Sequence, residues 1–189
     1  MEILLSILIG IGLSAAAGFR IFVPFLVVGI AERSGHLALA DGFDWIGSTP
    51  ALITFGAATL LEVGAYYIPW LDNALDSLAT PSAVVAGVIL TASVVADLDP
   101  FMQWTLAVLA GGGTATVFQG VTTGTRQIST LTTAGFGNPL VSTGEIAASA
   151  GLSLLAVVVP IVAFLAVIAL MFLVGRRVFF RRGPRQQAA

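Results

Sequence analysis

Long apolar stretches, almost free of charge, constrain this chain more than any other feature of its sequence. The five longest cover residues 3–31, 50–68, 81–96, 101–125 and 146–175. Arg20 is the only charge in the first stretch, Glu62 is the only one in the second, and the other three carry none. A helix needs about 20 apolar residues to cross a bilayer core of about 30 Å. The sequence therefore predicts an all-α, polytopic membrane helix bundle.

The composition excludes an ordinary soluble domain. Charged residues make up 10% of the 189 residues and hydrophobic residues 57%, whereas soluble domains are about 25% charged. Cysteine is absent and His36 is the only histidine, so we predict no metal site and no cofactor. The net charge of −2 gives no reason to expect a nucleic acid as partner. The chain lacks a nucleophile elbow, a P-loop and an HExxH motif, so we predict that it is not an enzyme.

Charges and helix breakers divide the chain into about six predicted membrane-crossing segments. They are residues 3–30, 50–67, 81–97, 107–134, 139–156 and 158–176, which together form one transmembrane domain over residues 1–176. Between the last two segments no polar residue marks a turn. One long tilted helix there, combined with a re-entrant segment at residues 135–138, is the alternative interpretation.

A basic tail, residues 177–189, follows the last apolar stretch directly. Basic flanks stay on the cytoplasmic side of a membrane. We therefore predict a multi-pass protein of the cell inner membrane with a cytoplasmic C-terminus. An even number of crossings would place the N-terminus in the cytoplasm as well.

Two matching ladders of small residues favour an internal repeat. Ser6, Gly10, Ser14 and Gly18 precede Arg20, and Gly112, Thr116, Gly120 and Gly124 precede Arg126 with the same spacing. The tetrapeptide that begins at Glu62 also resembles the one that begins at Glu145. If residues 3–97 and 107–176 each hold three crossings, the two halves have opposite orientations, as in many transporters. The sequence therefore predicts two inverted three-helix repeats with broken or re-entrant helices.

Two short motifs carry a resemblance to a known family. The stretch around Gly18-Phe19-Arg20, together with the sequence Gly-Phe-Gly-Asn-Pro-Leu at residues 135–140, resembles an uncharacterised bacterial family of small integral membrane proteins, known only as a domain of unknown function. The resemblance spans most of the chain. It implies a membrane location, and it implies no activity or ligand.

Four charges fall within the predicted membrane segments, namely those of Arg20, Glu62, Arg126 and Glu145. A charge at mid-depth opposes insertion by about 2.5 to 3.5 kcal/mol on insertion scales. We therefore expect the two arginines to pair with the two glutamates. Such a group is either a polar site on a transport pathway or a structural ion pair that locks helices together.

Hydroxyl side chains are concentrated in the fourth predicted segment. Residues 114–133 contain eight threonines together with Ser129. Thr122, Thr125 and Ser129 share a helical face with Arg126, which predicts a wall that meets water or a polar solute. Glycines 111–113 and the stretch 135–139, which contains Asn138, flank this segment. We expect both to break the helix and to offer backbone groups to an ion.

These features favour a small membrane transporter or channel for a polar or ionic small solute, with an anion preferred because two arginines lie among the helix breaks. The predicted binding or pathway residues are Arg20, Arg126, Glu62, Glu145, Thr122, Thr125, Ser129 and Asn138. A protomer of 19.4 kDa has little room for a sealed pathway, so we expect a homo-oligomer in the lipid bilayer.

Two other functions remain open at this point. The first is a non-transporting membrane scaffold or accessory subunit. The second is a membrane-embedded enzyme or lipid-handling protein that uses Glu62 or Glu145 as a base. A water-filled cavity that reaches both arginines favours the transporter, whereas a lipid-open groove that ends at a glutamate favours the lipid-handling protein.

Overall fold

The computed structural model describes residues 2–65 and 69–180, and over these residues the chain is helical, without strands. The helices are α1 (Glu2–Phe19), α2 (Phe22–Arg33), α3 (Thr49–Ala65), α4 (Pro69–Val94), α5 (Pro100–Leu106), α6 (Gly113–Thr133), α7 (Asn138–Val158) and α8 (Pro160–Phe180). A 3-10 turn, Asp44–Gly47, precedes α3, and a π-helical stretch, Ala107–Gly112, joins α5 to α6. The all-α prediction is confirmed. The basic tail from residue 181 onward lies outside the described residues.

The first predicted segment, residues 3–30, forms two helices that run in opposite directions. Side by side, α1 and α4 are antiparallel, because Thr91 donates to the carbonyl of Gly10 (3.2 Å) and Ser14 to that of Gly87 (2.8 Å). Beyond α2, the N–H of Ala40 donates to the carbonyl of Ser93, near the end of α4 (2.7 Å). The chain therefore reverses after α1, and α2 returns toward the end of the bundle where α1 begins.

The later helices continue this alternation. α3 runs antiparallel to α2, since Phe25 stacks on Phe55 with ring centroids 5.1 Å apart while Glu62, near the end of α3, contacts the start of α2. α7 runs antiparallel to α1, because Ser149 donates to the carbonyl of Ala16 (2.9 Å), whereas the earlier Ser142 contacts the later Arg20. With α5 to α6 counted as one run, the described chain forms seven runs of alternating direction. It begins and ends at opposite ends of the bundle.

These directions contradict the inverted repeat of residues 3–97 and 107–176. Thr91 lies against both Gly10 and Gly111, and Phe118 lies against Gly18. As α1 proceeds from Gly10 to Gly18, α6 and its π-helical start proceed the same way. The helices that carry the two Gly-x-Arg sequences are thus parallel, whereas inverted repeats would make them antiparallel. The small-residue match therefore does not reflect an inverted architecture.

Most predicted helix ends in the second half lie within two residues of the observed ones. Pro160 lacks an N–H, and Val159 before it has φ −139° and ψ 73°, so α7 and α8 are separate helices. The alternative of one long helix over residues 146–175 is therefore wrong. Between α6 and α7, Ala134 and Gly135 have φ of 52° and 89°, which form the turn. Glycines 111–113 were expected to break the helix, but the first two continue it in π-helical form and Gly113 begins α6.

Two of the described helices are long and apolar enough to cross a membrane by length and composition alone, namely α1 and α7. Shorter apolar stretches occur at Thr49–Ala65, Leu78–Val94 and Pro160–Arg176. The two long helices favour association with a membrane.

The central element is α1, which packs against α4, α6, α7 and α8. Its small residues allow this. Gly10 lies against Thr91 of α4, and a Cβ added at Gly12 would lie 2.8 Å from the Cβ of Ala156 in α7. Close approach of backbones through small residues is the usual way in which helices associate in lipid. In the second ladder, by contrast, Thr116 and Gly120 are exposed.

Candidate functional site

Two arginines, one directly after α1 and one in α6, bind one carboxylate. Arg20 directs its Nη2 to Glu145 Oε2 at 2.9 Å. Arg126 donates from Nε to Glu145 Oε1 at 3.1 Å, and its Nη2 also contacts Oε2. Arg20 Nη2 is in addition 2.5 Å from the hydroxyl of Ser142. The expected pairing of each arginine with a carboxylate is therefore present, and both choose the same one. We call Arg20, Arg126, Glu145 and Ser142 the arginine cluster.

The helices place this cluster by simple periodicity. Ser142, Glu145 and Ser149 are spaced three and four residues apart on α7, so they share the face that meets α1. Ser149 donates to the carbonyl of Ala16 (2.9 Å) and is 3.4 Å from that of Arg20. The carbonyl of Ala16, in the last turn of α1, also accepts the N–H of Arg20 (3.0 Å). The serine therefore joins α7 to the backbone at the reversal. Sequence analysis missed Ser142, although its spacing from Glu145 was visible.

Glu62 has a different role from the one predicted. Its Oε1 accepts the N–H of Ile21 (2.9 Å), and its Oε2 accepts that of Phe22 (3.2 Å). These N–H groups stand at the start of α2, where a helix has unsatisfied donors and a partial positive charge. Glu62 thus caps α2 from α3, and it remains within electrostatic reach of Arg20 and Arg126. The reversal after α1 depends on this contact.

The arginine cluster is almost sealed from solvent. The exposed fractions are 0% for Arg20, 3% for Arg126 and 6% for Glu145. In such a setting charge interactions are much stronger than in water, and removal of one partner from a buried pair typically costs about 3 to 5 kcal/mol. The cluster therefore joins the end of α1 firmly to α6 and α7.

A cavity of about 260 Å³ opens between α6 and α7 beside the cluster. Its lining includes Phe19, Val121, Thr122, Thr125, Leu140 and Glu145. Among the described lining residues, Glu145 is the charged one, and neither arginine is among them. A smaller cavity, of about 40 Å³, shares Phe19 and Val121 and extends toward α8. We call the larger cavity the α6–α7 groove.

The predicted hydroxyl wall on α6 is divided between two environments. Thr122 is buried and its hydroxyl is 3.4 Å from the carbonyl of Gly18, so it serves the contact with α1. Thr125 is exposed, lines the α6–α7 groove and donates to the carbonyl of Val121 (2.8 Å). Ser129 is half-buried, one turn beyond Arg126. Of these three, Thr122 and Thr125 lie beside Glu145.

The most polar exposed face of α6 is a different one. Thr116, Gly120, Thr123, Gln127 and Thr130 repeat with helical spacing, and all are exposed or half-buried. We call this set the α6 stripe. Its neighbouring face is apolar and also exposed, with Leu131 at 86%. The face that sequence analysis selected lies partly inside the bundle, because Arg126 draws its own side of α6 toward Glu145.

Asn138 stands apart from the arginine cluster. It is the first residue of α7, and its Nδ2 donates to the hydroxyl of Thr130 at 3.1 Å. Seven residues separate it from Glu145, which corresponds to about 10 Å along a helix. Its amide therefore joins the ends of α6 and α7 at their turn.

Comparison with known proteins gives a family and no activity. No curated protein and no solved structure matches the chain. Residues 7–179 match the family described as domain of unknown function DUF4126. Since this match covers nearly the whole chain, the protein belongs to the DUF4126 family.

Proposed function

We propose that the protein is a multi-pass membrane transporter for a small anion, and that Arg20 and Arg126 bind the anion. The observation that carries this proposal is the convergence of both guanidinium groups on one carboxylate, that of Glu145. Two arginines arranged around a carboxylate form the donor geometry that an external anion needs. Glu145 then acts as a tethered substitute for the solute.

The α6–α7 groove supplies a route to this position. It ends at Glu145, the charge that an incoming anion would replace, and its described lining does not include the arginines. A groove that ends at a glutamate is the feature expected of a lipid-handling protein, so this route supports a solute with lipid-like character more than a small hydrated one. Thr122 and Thr125 line the same space and can turn hydroxyl groups toward a polar solute. Because uncompensated charge is costly inside a helix bundle, the anion has to arrive together with a compensating cation.

A structural role for the cluster is the second candidate. The complete burial of Arg20 and the junction of three helices at Glu145 favour it. In that case the protein is a scaffold or accessory subunit, and Glu145 never leaves the arginines. The two proposals differ in whether an added anion can occupy the place of the Glu145 carboxylate.

The helix directions and the charges support one orientation in the inner membrane. The end where α1 begins also holds Glu2, Glu32, Asp41, Asp44, Asp97 and Asp99 against Arg33. The opposite end carries Arg176 near the end of α8. By the preference of basic flanks for the cytoplasm, α8 ends inside and α1 begins outside. This revises the cytoplasmic N-terminus that an even number of crossings would give.

Glu145→Gln tests the anion site directly. The amide keeps the shape of the side chain and removes the charge, so the variant should lose about 3 to 5 kcal/mol of stability. Acetate should restore part of this loss, because a ligand at a hundred times its Kd stabilises by about 2.7 kcal/mol. Thermal unfolding of the purified variant against acetate concentration measures both effects.

Glu2→Gln is the matched control, since Glu2 is exposed at the far end of α1. Acetate should change the unfolding temperature of Glu2→Gln no more than it changes that of the original protein. A general salt effect, by contrast, would shift the original protein, Glu2→Gln and Glu145→Gln by the same amount. An equal response of Glu145→Gln and Glu2→Gln would exclude the anion site and leave the structural role.

A further inference from the structure

The α6–α7 groove is largely apolar, although it ends on a charged group. Leu140 at its rim is 79% exposed, and Glu145 at its base is 6% exposed. Between them lie Phe19, Val121 and Val141. A small hydrated anion would gain nothing from these walls. They fit a hydrocarbon group that follows its charged end into the site.

The geometry points to a solute of one class, a carboxylate that bears an apolar tail. This inference rests on the proposed function and specifies its substrate. The carboxylate takes the position of the Glu145 carboxylate between Arg20 and Arg126, and the tail lies in the α6–α7 groove.

The size of the groove sets the length of the tail. A volume of about 260 Å³ holds roughly nine groups of the size of a water molecule, at about 30 Å³ each. A chain of roughly eight carbons therefore fills it. The smaller cavity that continues past Val121 toward Leu170 and Met171 lies in the direction that a longer tail would take.

Binding of carboxylates of increasing length tests this inference. Radiolabelled carboxylates with an even number of carbons, from acetate through octanoate to dodecanoate, are added to the purified protein in nanodiscs, and binding to protein-free nanodiscs is subtracted. Each added methylene that reaches the groove should strengthen binding roughly threefold to fourfold, from a transfer free energy of about 0.8 kcal/mol. The gain should level off near eight carbons. 1-Octanol has a similar tail without the charge, and an excess of it should compete poorly with labelled octanoate.

Gly144→Leu separates the tail from the charged end. Gly144 lines the groove, and a Cβ added there would meet no described atom within 4 Å, so the position has open space for a larger side chain. At equilibrium, octanoate binding should fall at least tenfold, and the advantage of octanoate over acetate should disappear. Gly151→Leu is the matched control, because Gly151 is exposed on the same face of α7, two turns away, and also has open space. It should bind octanoate like the original protein.

The outcomes distinguish the substrate from the site. If octanoate binds no more tightly than acetate, or if Gly144→Leu and Gly151→Leu bind octanoate alike, the tail assignment is wrong and the anion site stands. If octanol displaces octanoate as well as octanoate itself does, the groove holds ordinary lipid chains, which also overturns the assignment. If neither acetate nor octanoate binds to the original protein or to Glu145→Gln, the proposed function fails, and this inference fails with it.

Discussion

Gly18 holds α1 against α6 just before Arg20. An added Cβ would lie 2.5 Å from the Cβ of Phe118 and 2.8 Å from the carbonyl oxygen of Ala115. Both neighbours belong to a packed helix, so neither can move away alone. The distance between the two helices at this point therefore decides whether Arg20 and Arg126 can reach the same carboxylate.

Gly18→Leu should force α1 and α6 apart. We expect a loss of at least about 1 to 3 kcal/mol, the usual cost of overpacking, measured by thermal unfolding in detergent. Gly64→Leu is the control, since a Cβ there meets no described atom within 4 Å. Its stability should stay within about 0.5 kcal/mol of the original. Equal stability of both variants would contradict the close contact at Gly18.

For single residues, the sequence predicts that the buried charges form ion pairs, but it does not predict which residues pair with each other. Burial of four charges in apolar segments makes pairing necessary, which is why the ion pairs of both arginines could be expected. The ion pair between Arg20 and Glu145 joins residues 125 positions apart, and no local sequence pattern predicts this pair. The capping role of Glu62 depends on the reversal after α1, so it becomes visible only once α2 is known to start at Phe22.

Among the elements, α6 presents three different faces. The face with Ala115, Phe118 and Arg126 is buried, the α6 stripe is polar and exposed, and the face with Leu131 is apolar and exposed. Helical periodicity alone gives the three faces but not which of them meets the bundle. In a bilayer the polar face has to meet water or another polar helix face.

Oxidative crosslinking tests whether a second copy covers the α6 stripe, as expected of a homo-oligomer. The chain has no cysteine of its own, so Gly120→Cys introduces a single thiol at the middle of the stripe. A two-fold contact through the stripe brings this thiol close to its copy, and a disulfide-linked dimer should form. Thr122→Cys, at a position buried within the protomer, should stay monomeric.

A different result would assign the α6 stripe to water. If Gly120→Cys forms no dimer but reacts with a water-soluble maleimide, the stripe lines an aqueous path, and the homo-oligomeric interface must lie elsewhere. Dimers of both variants in equal amounts would show that collisions between protomers, and no fixed contact, cause the crosslinks.

Helix ends marked by proline or glycine were predictable, and the reversal after α1 was not. The turn at Gly135 and the start of α8 at Pro160 follow from backbone chemistry. Apolar residues continue on both sides of Arg20, so hydropathy alone predicts one membrane segment there instead of two helices. Pro24, in the first turn of α2, was the available signal, because proline is tolerated where a helix begins.

For the whole molecule, the reversal changes the number of runs and therefore the end of the bundle at which α1 begins, relative to the end of α8. Glu2 and His36 belong to the same end of the bundle if α2 returns along it. A single crossing over residues 3–30 would place them on opposite sides of the membrane. If α2 returns along the bundle, a reagent that reaches position 2 from one side of the membrane should therefore also reach position 36 from that side.

Single cysteines at positions 2 and 36 test this arrangement in intact cells. A membrane-impermeant maleimide should label both Glu2→Cys and His36→Cys from outside, while a cysteine at position 189 should react only after the membrane is permeabilised. The absence of native cysteines removes background labelling. If position 36 is labelled from outside and position 2 is not, residues 3–30 cross the membrane once, and the arrangement in seven runs is wrong.

The contact between Arg20 and Glu145 also has a consequence for biosynthesis. The two residues lie 125 positions apart in the chain, and ribosomes add about 5 to 20 residues per second. Arg20 is therefore made roughly 6 to 25 s before Glu145, from these elongation rates, and for that time it lacks the carboxylate that binds it in the finished fold. A chain released before Glu145 is made cannot close the arginine cluster, because the carboxylate that joins Arg20 to Arg126 is missing.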